Sequence, residues 1–291
     1  MTGVTAAIKG RLSIIWSYVG WEDYLGLAIL VLGVMGFILE PIMYQSRMTA
    51  FYIEIRSELV GIGITVLIID NANEMIRRRE EKKRLILQMG SPDNAFAQEA
   101  VRQLRFRGWL MDGSLRGASL LDANLQGAKL SYADMQGVTM VGANLQGAEL
   151  WETNLNGADI SNANMENAKM GKAKLQGANL WKTNLQGAVL VGAHLQKANL
   201  LGAILTDTDL QVAHLQDADL RGAKLQRANL TGTELLRVNL TGANLQDALV
   251  KPNQLDTALA LDGASMPDGS MYDGRFDGKE EKADKRENDD D

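Results

Sequence analysis

A five-residue repeat runs through the middle of the chain and limits its fold more than any other feature. Every fifth residue from Leu120 to Leu245 is Leu, Met or Ile, which gives 26 positions without an exception. Two residues before each of them is a small residue, which is Ala at 20 positions and Thr or Val at the other six. The fold must therefore place every fifth residue in an equivalent environment.

Neither regular secondary structure can place all the large residues on one face. A five-residue step turns an α-helix by about 140°, so the leucines would be scattered around its circumference. In a flat strand an odd step sends successive leucines to opposite faces, although the small residue two positions earlier shares the face of its leucine. Both residues point inward only if the chain is locally extended and turns a corner in each repeat. The repeat therefore predicts an all-β solenoid.

A second period of ten residues indicates the number of sides. Glutamine follows alternate leucines on the outer surface, at Gln126, Gln136, Gln146, Gln176, Gln186, Gln196, Gln216, Gln226 and Gln246. An even number of repeats per coil stacks these side chains into ladders, whereas three repeats per coil do not. Four repeats give about 20 residues per coil, with a rise of ~4.8 Å from one coil to the next.

The repeats resemble those of a known family. Ala-Asn-Leu-Gln-Gly-Ala at residues 143–148, and Ala-Asn-Leu at residues 178–180, are similar to the A(N/D)LXX motif of the pentapeptide-repeat proteins. The resemblance covers nearly half the chain and implies a right-handed quadrilateral β-helix, expected over residues 111–250. A membrane segment ahead of the repeats is also similar to the arrangement in membrane-attached bacterial members. The resemblance implies no particular activity.

Segments on both sides of the repeats are predicted to cover the ends of the coil, because a bare end exposes apolar surface. Residues 90–110 are expected to form an N-terminal capping helix that begins at Ser91 and Pro92. Its apolar face is predicted to contain Phe96, Ala100, Val101 and Leu104. Residues 251–276 are expected to form a C-terminal cap with one short helix. Residues 277–291 contain eight acidic and four basic residues and are predicted to be disordered.

Two apolar segments near the N-terminus are candidates for contact with a membrane. Residues Trp21–Tyr44 have aromatic residues at both ends, and as a helix of ~36 Å they are long enough to span a bilayer. The alternative is a helix buried in a protein core. The second segment, Phe51–Ile69, includes Glu54, Arg56 and Glu58. It is predicted either to span the membrane or to lie at the membrane surface or against a partner.

Basic residues predict the orientation of the chain. Residues 77–84 contain six basic residues, whereas only Arg47 and Arg56 lie between the uninterrupted apolar runs at residues 25–39 and 59–69. The positive-inside rule places this cluster and the repeats after it in the cytoplasm. Residues 1–89 are therefore expected to anchor the protein in the cytoplasmic (inner) membrane, with the repeat domain facing the cytoplasm. The alternative is that the cluster is a solvated helix face.

The chain lacks most residues that catalytic and metal sites need. It contains no Cys, and its only histidines are His194 and His214. They are 20 residues apart, so a four-sided coil stacks them about 4.8 Å apart on one outer face. A shared metal ion and pH sensing are alternatives to a solvated structural role. No nucleophile, base and orienting group occur together. We predict no enzymatic activity, no cofactor, and no catalytic or metal-binding residue.

One outer column of the predicted coil is rich in apolar residues. Reading every twentieth residue gives Leu121, Val141, Ser161, Trp181, Leu201, Arg221 and Thr241, whereas the opposite column mixes apolar and polar residues. Contiguous exposed apolar surface often marks an interface, and Trp often anchors one. Leu121, Val141, Trp181 and Leu201 are therefore the candidate interaction face, for self-association or for a partner helix. The alternative is a scatter of tolerated surface residues.

The predicted function is a membrane-anchored cytoplasmic scaffold that presents the coil to a protein partner. The alternative comes from the resemblance, because some pentapeptide-repeat proteins mimic duplex DNA in shape and charge and bind DNA gyrase. Such mimicry needs dense negative charge, whereas residues 109–251 contain 13 acidic and 12 basic residues. We expect no nucleic acid as a partner.

Overall fold

The helices of the chain lie before and after a long coil. The computed structural model describes Val31 and residues 49–274, and it divides the chain into two compact units between Glu81 and Lys82. Helix α1 (Thr49–Met89) has 41 residues and contains this boundary. Helix α2 (Asn94–Phe106) precedes the coil, and helix α3 (Pro252–Leu255) is a single turn near its end.

The coil has 20 residues in each turn. Isolated parallel bridges join the residue before each inward position to the residue 20 positions later, from Ser119 with Thr139 to Asn229 with Leu249. Four repeats per coil are therefore confirmed. We number the sides by their first inward residues, Leu120 for side 1, Leu125 for side 2, Leu130 for side 3 and Met135 for side 4. Every twentieth residue returns to the same side.

The core is a stack of the inward residues. All 26 large residues from Leu120 to Leu245 are at most 2% exposed, which confirms the predicted core. The small residues two positions earlier are buried too, apart from the partly buried Ala118. Where Thr takes the small position, its hydroxyl donates to a backbone carbonyl of the previous coil, as Thr153 does to Leu130 at 2.9 Å. The buried hydroxyl is therefore satisfied.

Each repeat turns its corner at a residue with left-handed backbone. All 27 residues at this position, every fifth from Gly117 to Asp247, have φ between 49° and 71°. The amide of the next residue donates to the carbonyl of the preceding inward residue and closes the turn, as Ala123 does to Leu120 at 3.2 Å. Glycine adopts this conformation without a Cβ clash. Gly127 is one of these corners, with φ of 67°.

Val212 is the one β-branched residue among these corners, with φ of 49°. A β-branched side chain is strained in the left-handed region, and Val212 is 53% exposed, so its side chain contributes little packing. We expect Val212→Gly to raise the free energy of unfolding by about 1 kcal/mol, measured by urea denaturation. Val141→Gly is the control, because Val141 does not have a positive φ. An equal gain from both changes would contradict the strain explanation.

Asparagine and aspartate side chains close the turns from outside. The amide after the inward residue has no backbone acceptor, either in its own turn or in the next coil. In 13 repeats this amide donates to the Oδ1 atom of the Asn or Asp that precedes the inward residue, as Gln146 does to Asn144 at 3.2 Å. Asn144 also donates to Asn124 of the previous coil at 3.2 Å. The outward Asn side chains therefore both close the turns and form ladders between coils.

The predicted glutamine ladders form on side 2 and not on side 4. On side 2, Gln126 donates to Gln146 at 3.0 Å, and Gln146 donates to Glu166 at 3.2 Å. On side 4, the side-chain oxygens of Gln176, Gln196 and Gln216 are buried and have no hydrogen-bond partner within residues 49–274. The ten-residue period therefore predicted the number of sides correctly, although it overestimated the pairing of the amides.

Helix α2 begins later than predicted. Its N-cap is Asp93, whose carboxylate accepts from the amides of Ala95 at 2.8 Å and Phe96 at 3.2 Å. The prediction of Ser91 is therefore wrong. The carbonyl of Ser91 instead accepts from the amide of Asn124 at 2.9 Å, so this residue already belongs to the contact with the coil. A carboxylate that reaches two free amides is a strong N-cap.

The buried face of α2 covers the first coil. It consists of Ala97, Ala100, Val101 and Leu104. Phe96 was predicted on this face but is 62% exposed. The buried residues follow the i, i+3, i+4, i+7 spacing of one helical face, which begins at Ala97 and leaves Phe96 outside it. Asn94 donates to the carbonyls of Asn124 and Gln126, each at 3.1 Å. No coil precedes the first one, so these carbonyl groups would otherwise lack a hydrogen-bond donor.

The coil continues past residue 250, where the sequence predicted its end. Bridges there join residues 21 positions apart, as in Asn239 with Ala260, so one extra residue has entered the coil. Helix α3 lies at this insertion, and Gln254 donates to the carbonyls of Leu230 at 2.8 Å and Thr233 at 2.9 Å. Beyond α3, Leu261 is buried like the earlier inward residues, with an exposure of 5%.

A hairpin closes the C-terminal edge of the coil. Ser265 forms an antiparallel bridge with Met271, and the amide of Met266 donates to the carbonyl of Ser270 at 2.7 Å. The amide of Tyr272 donates to Ala264 at 2.8 Å. The chain therefore folds back on its own last coil.

None of the helices within residues 49–274 is both long enough and apolar enough to cross a membrane. This finding corrects the second predicted span, Phe51–Ile69, which is part of α1. Its apolar sequence is interrupted by Glu54, Arg56 and Glu58. The first predicted span, Trp21–Tyr44, lies outside the described residues except for Val31. The predicted disordered tail, residues 277–291, lies outside them as well.

Candidate interaction surfaces

The structure brings the predicted interaction face together as one column on side 1. Backbone hydrogen bonds link its successive coils, for example from Asn162 to Trp181 at 2.9 Å and from Lys182 to Leu201 at 3.0 Å. The column contains Leu121, Val141, Trp181 and Leu201 in the predicted order. Buried Ser161 lies between Val141 and Trp181 and is 6% exposed.

The residues of this column differ in exposure. Leu121 is 54% exposed, whereas Val141, Trp181 and Leu201 are half-buried. The ammonium group of Lys182 lies 4.5 Å from the centroid of the Trp181 ring, which is the geometry of a cation–π interaction. The column is therefore apolar in composition, and it offers a shallow surface with Leu121 as its most accessible residue.

Side 3 exposes more large apolar side chains than side 1. They are Tyr132 at 55%, Trp151 at 37%, Val189 at 36%, Val212 at 53% and Leu249 at 60%. Reading the sequence missed this surface because it compared one outer position per repeat, whereas these residues occupy three different positions. The surface would have been found by also comparing the residue before each inward residue and the second residue after it.

Trp151 lies flat against the next coil. A Cβ atom added to Gly171 would overlap the ring carbons of Trp151, so the indole occupies the space that a side chain would take. The ring nitrogen donates to Glu152 at 3.2 Å, and the ammonium of Lys172 lies 5.8 Å from the ring centroid. The ring is therefore fixed in position while more than a third of the residue stays accessible.

Charge is unevenly distributed along the coil. Residues 131–150 contain two acidic and no basic residues, and residues 151–170 contain three acidic and one basic residue. Residues 171–190 contain three lysines and no acidic residue. The lysines are Lys172, Lys174 and Lys182. The coil therefore has a basic band next to an acidic one, rather than the uniform negative surface that DNA mimicry needs.

Ion pairs between coils neutralise part of the acidic surface further along. Arg227 contacts Asp207 and Arg237 contacts Asp217, each at 2.6 Å. Hydrogen bonds from the arginines lower the pKa of both aspartates. These pairs are exposed, so each contributes little to stability, although their carboxylates are already engaged by arginine.

The two histidines stack as the 20-residue spacing predicted. Their ring centroids are 4.9 Å apart and the ring planes differ by 12°. Burial, and then the nearby His214 and Lys174, lower the pKa of His194. The Nδ1 atom of His214 lies 2.9 Å from a carboxylate oxygen of Glu234. Stacked rings hold their nitrogens side by side rather than converging on one ion. Within residues 49–274 no three or more His, Asp or Glu side chains form a metal-binding group.

Part of the predicted basic cluster has a structural role. Lys82 forms an ion pair with Asp112 at 2.7 Å, and its ammonium lies 5.0 Å from the centroid of the Trp109 ring. Arg78 pairs with Glu74 one helical turn away at 2.7 Å. These two basic residues are therefore paired within the chain.

The coil defines the class of the protein, a four-sided β-solenoid. The family model for pentapeptide repeats matches residues 114–147, 140–177, 173–211 and 213–249. HetL, a pentapeptide repeat protein involved in heterocyst differentiation regulation from the cyanobacterium Nostoc sp. strain PCC 7120, is 32% identical over 54% of this chain and 91% of its own, with a TM-score of 0.25. The chain belongs to the pentapeptide-repeat family, whose members fold as right-handed quadrilateral β-helices.

Two other solved structures are similar to parts of this chain. The pentapeptide repeat protein Rfr23 from the cyanobacterium Cyanothece 51142 is 36% identical, with a TM-score of 0.27. That match covers 32% of this chain and 60% of Rfr23, less than two thirds of its length. QnrB1, a plasmid-mediated fluoroquinolone resistance protein, is 16% identical over 52% of this chain and 83% of its own, with a TM-score of 0.27. A search of curated proteins found no match.

Proposed function

We propose that this chain is a non-enzymatic scaffold of the cytoplasmic (inner) membrane that presents its repeat coil to a protein partner in the cytoplasm. The observation that carries the proposal is the side-1 column, in which four of five successive coils have an apolar outer residue. Contiguous apolar surface is uncommon on soluble monomers and is typical of interfaces. Trp181 near its centre is the kind of residue that most often anchors one.

Membrane attachment is proposed through Trp21–Tyr44, on the basis of its length and its aromatic ends. Helix α1 supports the proposal, since it exposes four isoleucines within eight residues. They are Ile62 at 51%, Ile64 at 46%, Ile68 at 63% and Ile69 at 51%. Apolar side chains at this density favour a membrane surface or a partner over water.

Fractionation of cells that produce the full chain tests the attachment. We expect the protein to remain in the membrane pellet after carbonate or high-salt extraction and to be released by detergent, because burial in the bilayer does not depend on charge. A variant that begins at residue 49 is the control and should be released by carbonate. Extraction of the full chain without detergent would show that the anchor is wrong.

The side-1 interface is tested by Val141→Ser combined with Trp181→Ser in the full chain. We expect the double variant to sediment as a smaller species, or to recover less of its partner from native membranes, while its circular dichroism is unchanged. Leu236→Ser is the matched control, because Leu236 occupies the same repeat position on side 4 and is 46% exposed. If both variants keep the association state and the partner yield of the wild type, side 1 is not the interface.

A further inference from the structure

We propose that side 3 of the coil, on the opposite side from the side-1 column, is a docking surface for an acidic segment of a protein partner. The surface is defined by Tyr132, Trp151, Gly171, Lys172 and Val191. The inference rests on the proposed scaffold function, because both require a protein partner. It adds the chemical character of that partner. Three independent features of side 3 point to it.

The first feature is a column of free backbone donors. Before the inward residues of four successive coils, side 3 has Lys129, Glu149, Lys169 and Val189, where most other repeats have Asn or Asp. The amides of Ser131, Trp151, Gly171 and Val191 consequently have no acceptor within residues 49–274. Outward-pointing side chains reach this amide in the capped repeats, so its N–H points to the outer surface.

This column is longer than its counterparts on the other sides. Within the described residues, uncapped amides occur in two successive coils on side 1, at Leu121 and Val141, and in no more than three elsewhere. Neighbouring coils are ~4.8 Å apart. Gly171 is buried beneath the Trp151 ring, so side 3 presents the amides of Ser131, Trp151 and Val191 to a partner. Backbone amides in a row favour ligands with many acceptor atoms.

The second feature is a set of lysines without carboxylate partners. Lys172, at the corner that ends side 3, and Lys174, which follows it on side 4, form no ion pair with any residue that the structure describes. Of the carboxylates nearby, Glu149 lies 3.8 Å from Lys169, and Glu152 accepts a hydrogen bond from the Trp151 indole but forms no ion pair with Lys172. The positive charge of this region is therefore available to a carboxylate from another chain, with which lysine forms a strong charge-assisted hydrogen bond.

The third feature is a fixed aromatic anchor among these charges. Trp151 rests on the bare backbone of Gly171, and Tyr132 of the preceding coil is 55% exposed. An aromatic residue that is already held in place loses little conformational entropy on binding, which makes it an efficient anchor. Apolar side chains of the acidic segment would pack on these rings while its carboxylates meet the amides and lysines.

A protein segment fits this surface better than a nucleic acid does. The basic band occupies residues 171–190, and the acidic residues of 131–170 lie directly before it. A long polyanion that followed the coil would meet this negative charge within about two coil spacings, ~10 Å. A short segment avoids it if its carboxylates lie at Lys172 while its apolar side chains cover Trp151 and Tyr132, which belong to the acidic coils.

The test measures binding of a fluorescein-labelled poly-L-glutamate peptide to the full chain in detergent by fluorescence anisotropy. We expect saturable binding that is lost in high salt, because exposed charges are screened. Lys172→Glu should weaken it about tenfold or more, and Trp151→Ser should weaken it as well. Lys182→Glu is the matched control, because Lys182 is also a corner lysine above a Trp ring but lies on side 1. It should leave binding unchanged.

Four outcomes would overturn the inference. They are the absence of binding, an equal loss in Lys172→Glu and Lys182→Glu, tighter binding of single-stranded DNA than of the peptide, and a tenfold gain in a chain that ends at Gly274. The last would assign the surface to the chain's own acidic residues 277–291. The sedimentation and fractionation experiments use other residues, so failure here leaves the scaffold proposal standing.

Discussion

Leu180→Ala is expected to lower the free energy of unfolding by about 2–5 kcal/mol. Leu180 is 0% exposed and lies in the middle of the stack of inward residues. The change removes its packing and leaves a cavity, because the coils before and after it hold the backbone in place and prevent collapse. Urea denaturation followed by circular dichroism measures the effect, and the slope of the transition reports whether the coil still unfolds as one unit.

Leu121→Ala is the control for this prediction. It makes the same chemical change at a residue that is 54% exposed. Surface substitutions of this kind usually change stability by less than about 0.5 kcal/mol. Similar losses from the two variants would contradict the stacked core as the source of stability.

Deletion of residues 161–180 should be tolerated, whereas deletion of residues 161–179 should not. The first deletion removes 20 residues, which is one complete coil, and joins Ile160 to Trp181 in the original register. The remaining coils can then pair as before, with some loss of stability because each coil contributes an interface. We expect a single cooperative thermal transition at a moderately lower temperature.

The shorter deletion differs by one residue and joins Ile160 directly to Leu180. Neighbouring residues in an extended chain point to opposite faces, so both cannot point inward. We expect this variant to lose the single transition, because the coils before and after the junction no longer share a register. Identical melting of the two variants would mean that the 20-residue register does not control folding.

The core was predictable because every repeat imposes the same requirement on the backbone. The inward residues from Leu120 to Leu245 could be assigned from a constant spacing, and no long-range information was needed. The end of the coil was not predictable in this way. Lys251 and Pro252 interrupt the period, and the extra residue is accommodated by α3 and by the hydrogen bonds of Gln254. Those contacts depend on the coil before it rather than on the local sequence.

The interaction surfaces were predictable in position more than in exposure. The 20-residue spacing correctly placed Val141, Trp181 and Leu201 in one column. Spacing does not show how far a side chain folds back on its neighbours, and this decides that Trp181 is half-buried while Trp151 rests on Gly171. The role of a missing Asn or Asp was not predictable either, since it appears only when the remaining hydrogen bonds of each turn are known.

The hairpin at the end of the coil also determines how copies of this protein can meet. An uncovered last coil presents unpaired backbone groups in the spacing of the next coil, which is a template for addition of another chain and growth into a filament. Here Met271 pairs with Ser265 at one end, and Asn94 occupies carbonyls of the first coil at the other. End-to-end polymerisation is therefore disfavoured at both ends, and association between molecules is directed to the lateral faces.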